Sequence, residues 1–564
     1  MKKNSYSSQL PAIAICMICS IFAVPAFSQT ATGSGQNPLF RHIPPNARDV
    51  YHINLPVLTS KVSWEKLTGV LPGFQKASQN VKWLEILKDP GQAGIDVNRD
   101  IFFTLTNNEV MDSTGYTTII AHLTDSGKFV SYLKQLMPGV RLFTIPGKGR
   151  SAGKDMAGFA WDNNLLVATI IRPAISAPGK ASATSSGASG PGAHPSPAHP
   201  TLTSPIALKA ARQSLAALHG FDRSFYTTDP VFTNGFSDDA DLHIWAAQGA
   251  GMAMISKNLF HTKTSPPAPG SAKDKKQSNA LTAVRFDAGR ITIHSTTVVS
   301  PDLAPVLAQF NGHPLNTDLL TRIPPGNILG MVNLHFDPAA ILAVMDKFKV
   351  RAKFDSLLAT KGLTLDDIQQ AFKGDFLLAV VQPSQQPADS ASTMERSKTP
   401  DIYFVTTLGN GQSLAKVAGR LGLLKGLANK DSTEANAGAP SGLLGKLKTA
   451  FTLQDNILVI SRNKTLTDSY FSNKEKRNTD FVTQAMKDNP SSIYLDFRSV
   501  AAFLKSMSAE PSEKDRQMIH ILQSFDQLIF TIGALKDNKS ESMVELKMTD
   551  PSENSLRSLY KLLR

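Results

Sequence analysis

Ile43-Pro44-Pro45, followed by an extended run that ends Ile53-Asn54-Leu55, returns far downstream as Ile323-Pro324-Pro325 and a run ending Val332-Asn333-Leu334. The proline pairs stand 324 − 44 = 280 residues apart and the Asn-Leu pairs 333 − 54 = 279, so one single-residue gap aligns them. Landmarks in the same order follow each signature. A strand led by Asp comes first, Asp100-Ile101-Phe102-Phe103 and Asp375-Phe376-Leu377-Leu378. A second strand follows, Thr117 to Ala121 and Ile402 to Val405, and then a helix with Phe129, Leu133 and Leu136 matched to Leu414, Val417 and Leu421. Asp162-Asn163-Asn164 and Gln454-Asp455-Asn456 read as hairpin turns. The aromatic pairs Phe225-Tyr226 and Tyr470-Phe471 come next, and each copy closes at Ser300-Pro301 or Asp550-Pro551. A self-similar order of this length reads as two copies of one supersecondary plan, 39–318 and 319–564.

Within each copy, short strands joined by hairpins mix with a few amphipathic helices. Strict strand–helix alternation, which would indicate a doubly wound parallel sheet, is missing. The expected class is α+β: two tandem related units, each a mainly antiparallel sheet with amphipathic helices on one face. Matched residues such as Ile43 and Ile323, Asn54 and Asn333, and Phe225 and Tyr470 are expected to hold the fold. Asp550-Pro551-Ser552-Glu553 reads as a cap and first turn for the last helix.

Residues 1–28 carry the marks of a secretory signal peptide. Lys2 and Lys3 precede an apolar stretch from Leu10 to Val24, and Ala26-Phe27-Ser28 places small residues at the −3 and −1 positions before Gln29. The apolar stretch is shorter than the roughly 20 residues that span a bilayer. Residues Ile15 and Ile18, which precede the two cysteines, do not suit a lipoprotein signal, and no later stretch reads as a transmembrane span. The expected address is the periplasm or the cell exterior, after cleavage near Ser28. A polar lead-in covers 29–38. The insert 173–204 is rich in Pro, Ala, Ser and Gly and is expected to be disordered. Shorter polar loops are expected at 262–279, 382–400 and 428–441.

The chain of 564 residues is 41% hydrophobic and 19% charged, a balance that permits large cores. Its formal net charge is +13; without Lys2 and Lys3 the balance is 57 − 46 = +11. The positive charges are scattered and interleaved with acids, as in Lys474-Glu475-Lys476-Arg477, and form no basic stripe on a nucleic-acid-binding module. Cys16 and Cys19, the two cysteines of the chain, both fall in the leader. The rest therefore has no disulfide, thiolate nucleophile or cysteine metal site.

Motifs that commit a chain to a chemistry are missing. Gly147 to Lys154 fails as a phosphate loop, with the wrong glycine spacing and Asp155 where Ser or Thr would bind magnesium. Asp96, Asn98 and Asp100 begin like a calcium loop, but Ile101 and Asn107 replace the required Gly and Glu. His194 and His199 sit in the low-complexity insert. No nucleophile elbow, zinc-binding helix or dinucleotide glycine triplet occurs. No catalytic residue, metal ligand or cofactor is assigned. The features present in one copy alone are the four tryptophans, Trp64, Trp83, Trp161 and Trp245, and the acidic cluster Asp238, Asp239 and Asp241. One copy of a duplicated plan can keep a function the other lacks, so Trp245 with Asp238, Asp239 and Asp241 is the expected binding surface. The competing reading buries Trp245 in the core by strand alternation.

The two Ile-Pro-Pro openings, each leading to a strand with Asn-Leu near its end, carry a resemblance. The chain resembles a family of secreted proteins of unknown function typical of the Bacteroidetes, over nearly all of 39–564. The resemblance implies tandem α+β units in the cell envelope and supplies no catalytic residues. Many members carry a lipid-accepting cysteine, which this chain lacks. The expected function is that of an exported, non-catalytic envelope protein that binds or scaffolds another macromolecule of unknown identity. The alternative is an extracytoplasmic hydrolase whose carboxylates converge only in the fold.

Overall fold

The computed structural model describes residues 37–562 apart from 65, 67–88, 108–114, 146–148, 155, 173–204, 223–224, 237, 247–278, 300, 302–303, 312–317, 324–326, 336, 348–350, 383–399, 421–449, 462–463, 474–485, 487–488 and 508–509. The leader, most of the lead-in, the 173–204 insert and its histidines, Trp83, and the loops at 262–279, 382–400 and 428–441 (save end residues) lie outside the described residues. The chain mixes helices with antiparallel strands and is α+β. Among the described residues, no helix is long and apolar enough to cross a membrane. The described residues divide into two compact units. The N-terminal unit takes those up to 246 with 279–285 and 559–562, and the C-terminal unit takes those in 286–558.

The N-terminal unit contains strands β1 (Asp49–Ile53), β2 (Ile101–Asn107), β3 (Gly115–His122), β4 (Arg141–Ile145), β5 (Gly149–Lys154), β6 (Ala157–Trp161), β7 (Leu165–Arg172), β8 (Leu242–Ala246) and β9 (Asn279–Asp287), the division falling inside β9. They pair in the order β9-β8-β1-β2-β3-β7-β6-β5-β4, every neighbour antiparallel. Ile119-Ile120-Ala121 and Leu165 to Ala168 are buried at every position, so both faces of the central strands need cover. On one face lies helix α1 (Leu55–Lys61) with helix α2 (Ser126–Leu136), whose Phe129 and Leu133 meet Ile101, Ile119, Phe159 and Trp161. Asp125 caps α2, its Oδ1 accepting from the Gly127 and Lys128 amides at 2.8 and 2.9 Å. On the other face, Ala217 and Leu218 of helix α3 (Pro205–His219) share a core with Val50, Phe102, Ile120 and Val167. The expectation of helices on one face is thereby corrected. Continuous apolar runs, unlike alternating ones, have no face to give to water.

The C-terminal unit contains β10 (Arg290–Val298), β11 (Ile328–His335), β12 (Phe372–Val381), β13 (Asp401–Leu408), β14 (Ala450–Gln454), β15 (Ile457–Ser461), β16 (Ser491–Asp496), β17 (Phe525–Ile532) and β18 (Lys539–Met548). Their order is β10-β18-β17-β16-β11-β12-β13-β15-β14, again antiparallel throughout. Here too both faces are used. Met331, Leu377, Val405, Val459 and Tyr494 pack with Leu319, Ile323 and Tyr470 on one side. Helices α4 (Phe497–Met507) and α5 (Glu513–Gln523) lay Phe497, Ala501, Ile519 and Leu522 over Phe530 and Val544 on the other. Asp455 and Asn456, with φ of 53° and 60°, form the tight β14–β15 turn that their sequence suggests.

Two sequence assignments change. Asn54 and Asn333 do not play one role. Asn54 stands outside β1 and caps α1 through the Val57 amide, whereas Asn333 is buried inside β11. The last helix, α6 (Ser555–Leu562), begins later than the Asp-Pro signal implies. Asp550 closes a turn by accepting from Ser552 and Glu553 amides, and Asn554 is the residue whose side chain accepts from the Leu556 amide. Asp is as good a turn former as a cap, so the signal alone does not separate the two.

Candidate functional site

Strand β1 reads Asp-Val-Tyr-His-Ile and β8 reads Leu-His-Ile-Trp-Ala. Alternation turns Val50 and His52 inward from β1, and His243 and Trp245 inward from β8. The register sets Val50 opposite Trp245 and His52 opposite His243. It thus places two imidazoles side by side in the interior, their rings stacked 5.2 Å apart. His52 also stacks on Phe102 of β2 at 4.6 Å, and Phe236 lies against both histidines. His52 is 3% exposed and His243 0%.

The two imidazoles are the middle of a chain of polar contacts. His52 Nδ1 and His243 Nδ1 are 3.0 Å apart. On the far side of His243, its Nε2 meets Asp238 Oδ1 at 2.5 Å. Asp238 also accepts from the Ala240 amide at 3.1 Å and from Arg285 Nη2 of β9 at 2.7 Å. On the far side of His52, its Nε2 stands 3.2 Å from Asp100 Oδ2, at an angle poor for a hydrogen bond. Asp100 is held in turn by Asn37 Nδ2 at 3.0 Å. Burial alone would raise the Asp238 carboxyl, but the bond and charge of His243, the Ala240 amide and Arg285 outweigh it and hold the pKa down at about 2. The same contest, with His52 and Asn37 opposing burial, sets Asp100 below the ordinary carboxylate range. Burial lowers His52, against the pull of Asp100.

The predicted site residues separate. Trp245 is 4% exposed and meets Tyr226 and Phe232 edge-on at 5.3 and 5.7 Å. It is a core residue and does not line a surface, because its strand position faces the same way as His243. Asp238 and Asp239 converge on Arg285, Asp239 at 3.4 Å and largely exposed. Asp241 turns the other way, fully buried, onto Lys61 Nζ of α1 at 2.6 Å. What sequence reasoning missed is the histidine pair, Asp100 as its partner, and Arg285. The signal was available in part: a histidine at the inward position of an alternating strand is a buried titratable group. Of the rejected motifs, Asp96 accepts from the Asn98 amide and pairs with Arg99, and Gly149–Lys154 is a strand.

In the C-terminal unit, Asp375 inside β12 belongs to a second His–Asp cluster. His335 Nδ1 meets Asp375 Oδ1, and Thr407 Oγ1 donates to Asp375 Oδ2 at 2.7 Å. Asn333 and Ser492 are buried opposite one another. An open groove of about 560 Å³ in the same unit is lined by both signs of charge, among them Asp287, Arg290, Arg498, Asp526, Glu545 and Lys547. Arg498 and Asp526 already pair there at 2.8 Å. Among the described residues, no group of three or more His, Cys, Asp or Glu side chains is arranged to hold a metal ion. The chemistry available to the linear Asp100–His52–His243–Asp238 arrangement is the holding and sharing of protons.

No protein-family model and no curated protein matches the chain. Among solved structures, crystal form III of TP0453 aligns with a TM-score of 0.28 at 7% identity, over 50% of this chain and 90% of that one. Crystal form I of the same protein gives 0.27 and 8%, over 50% and 88%. At such scores the likeness does not establish a shared fold.

Proposed function

We propose that the two units are copies of one plan, and that the protein is an exported, non-catalytic member of the cell envelope that binds or scaffolds another macromolecule. Strand order carries the first part. The series β9-β8-β1-β2-β3-β7-β6 and β17-β16-β11-β12-β13-β15-β14 follow the chain in the same sequence of steps. Inward positions correspond as well. Val50 opposite Trp245 answers to Met331 opposite Tyr494, and His52 opposite His243 answers to Asn333 opposite Ser492. Tyr226 and Tyr470 each donate a buried hydroxyl to a backbone carbonyl, of Ala47 and of Leu319.

The use made of the histidine-paired carboxylates supports a non-catalytic role. A glycosidase-like mechanism needs two carboxylates facing one substrate. Asp100 and Asp238 face opposite ends of a histidine pair, and Asp375 is occupied by His335 and Thr407. The leader residues and the resemblance to Bacteroidetes secreted proteins support export to the envelope. The test is capture from envelope extract with the full chain, paired with N-terminal sequencing of protein recovered from cells. The reading expects a reproducible macromolecular partner and a mature start near Gln29. Hydrolysis of an envelope polymer by the purified protein, or an intact leader retained in the inner membrane, would overturn it.

A further inference from the structure

We infer that His52 and His243 form a clamp holding a single shared proton, and that this proton makes the N-terminal unit most stable near neutral pH and weaker on both sides. The argument is a proton count on the geometry. Asp238 receives the Ala240 amide, Arg285 and His243, so it is an acceptor and His243 Nε2 must carry a hydrogen. Asp100 receives Asn37, and His52 Nε2 faces its carboxylate at 3.2 Å; a bare ring nitrogen there would set a lone pair against a negative charge. Between the rings, at 3.0 Å, one Nδ1 must bear a hydrogen and the other must not. Two lone pairs would repel, and two N–H groups would collide. Three of the four ring nitrogens are therefore protonated, and the pair carries one positive charge.

That charge fits its surroundings. The groups facing the pair are Asp100 at the mouth of β2, Asp238 and the exposed Asp239 before β8, Arg285 on β9, and Asn37. The rings of Phe102 and Phe236 close the sides. His122 acts on Asp100 from β3 and is itself faced by Arg99 and Asp96. The half-buried carboxylates Asp100 and Asp238, the single imidazolium and Arg285 sum to zero. Burial lowers His52 against the pull of Asp100, and the two Nδ1 atoms hold the one proton between them.

The pH dependence follows by linkage. Below about pH 6.5 two histidines in an unfolded chain hold four ring protons, whereas the closed pair holds three. Unfolding then takes up a proton, and stability falls as the pH falls. Above about pH 6.5 the unfolded histidines hold two ring protons and the closed pair still holds three. Unfolding then releases one, and stability falls as the pH rises. Each limb changes the unfolding equilibrium constant about tenfold per pH unit, until the closed pair itself titrates. His42 and His122, also lowered by burial, steepen the acid limb and leave the alkaline limb untouched.

All four tryptophans precede residue 246, so tryptophan emission reports on this part of the full-length chain. Denaturant unfolding followed by that emission from pH 5 to 9 is expected to give a midpoint that peaks near pH 6.5. The double variant His52→Asn with His243→Ser installs the residue types found opposite one another in the C-terminal unit. It should keep part of the acid limb and lose the alkaline one. An identical profile in both proteins, or no alkaline fall in the wild type, overturns the inference. In case the variant does not fold, ¹⁵N-histidine NMR of the wild type at pH 7 decides alone. The clamp requires three protonated nitrogens across the two rings and a proton coupled to both Nδ1 atoms; two neutral imidazoles would refute it.

Discussion

Lys61 Nζ lies 2.6 Å from Asp241 Oδ2, joining the end of α1 to the turn before β8, and the Asp241 side chain is completely buried. The same turn binds α1 a second time, through the Asn54 amide on the Asp241 carbonyl at 3.0 Å. Removing the cation while keeping its stem leaves a buried carboxylate without its closest counter-charge. Lys61→Met is therefore expected to destabilise the N-terminal unit by about 3 kcal/mol. Lys61→Met with Asp241→Leu should recover much of the loss, since a buried ion pair often yields to an apolar one. Denaturant midpoints of the two variants measure both, and equal destabilisation by single and double variant would contradict this account.

Tyr226 and Tyr470 give a prediction at high pH. Each hydroxyl is buried and donates to a carbonyl, and burial raises both phenols far above 10. A raised acid favours the folded state while it stays neutral. Their contribution is full below about pH 10 and is lost as the pH climbs beyond, where the unfolded phenols ionise first. Ultraviolet titration should find Tyr226 and Tyr470 silent until the protein unfolds. Tyr226→Phe and Tyr470→Phe should each cost about 1–2 kcal/mol, the carbonyl being left without its donor.

How far these features were legible follows from the range of the interactions. Local chemistry reads well. Asp455-Asn456, read as a hairpin turn, adopts the positive φ of a tight turn. Ladder partners read badly. His52 and His243 are 191 residues apart, and each strand alone looks like an ordinary half-buried strand with one polar intruder. Register decides that the intruders meet, and a slip of one residue would send both outward. The same blindness matched Asn54 with Asn333, although Asn54 lies just outside β1 and Asn333 sits inside β11. It also tied Trp245 to the acids beside it in sequence, where the pleat instead gives it to the aromatic core.

Helix α3 rests on β5 and β6 through small residues, and two glycines separate packing from propensity. A Cβ on Gly158 would stand 2.1 Å from the Ala211 amide nitrogen, and Ser214 Oγ already donates to the Gly158 carbonyl at 2.9 Å. Backbone cannot yield as a side-chain tip can, so Gly158→Ala should lift the helix and cost about 2–3 kcal/mol. Gly411, at the start of the helix Gly411–Arg420, would meet nothing within 4 Å. Gly411→Ala should stabilise by about 0.5 kcal/mol, by reducing the freedom of the unfolded chain. Thermal melts that rank the two alike would remove the close-approach explanation.

The last prediction concerns Trp245. Its ring is enclosed by Tyr226 and Phe232, and the cluster continues through Phe40 and Phe236. Iodide cannot enter a packed core, so its quenching reports exposure and not polarity. With Trp64, Trp83 and Trp161 replaced by Phe, the emission of Trp245 should be insensitive to iodide in the folded protein and quenched in denaturant. Trp161, fully buried against Phe129 at 5.2 Å, should behave alike when isolated in the same way. Trp64, partly buried at the margin of the α2 core, should be intermediate. Replacement of Trp161 removes a large core side chain, so each single-tryptophan protein must first give a cooperative melt. Strong quenching of Trp245 in a protein that passes that control would mean that β8 is not held in the register that brings His243 to His52. It would remove the basis of the proton clamp together with the core assignment.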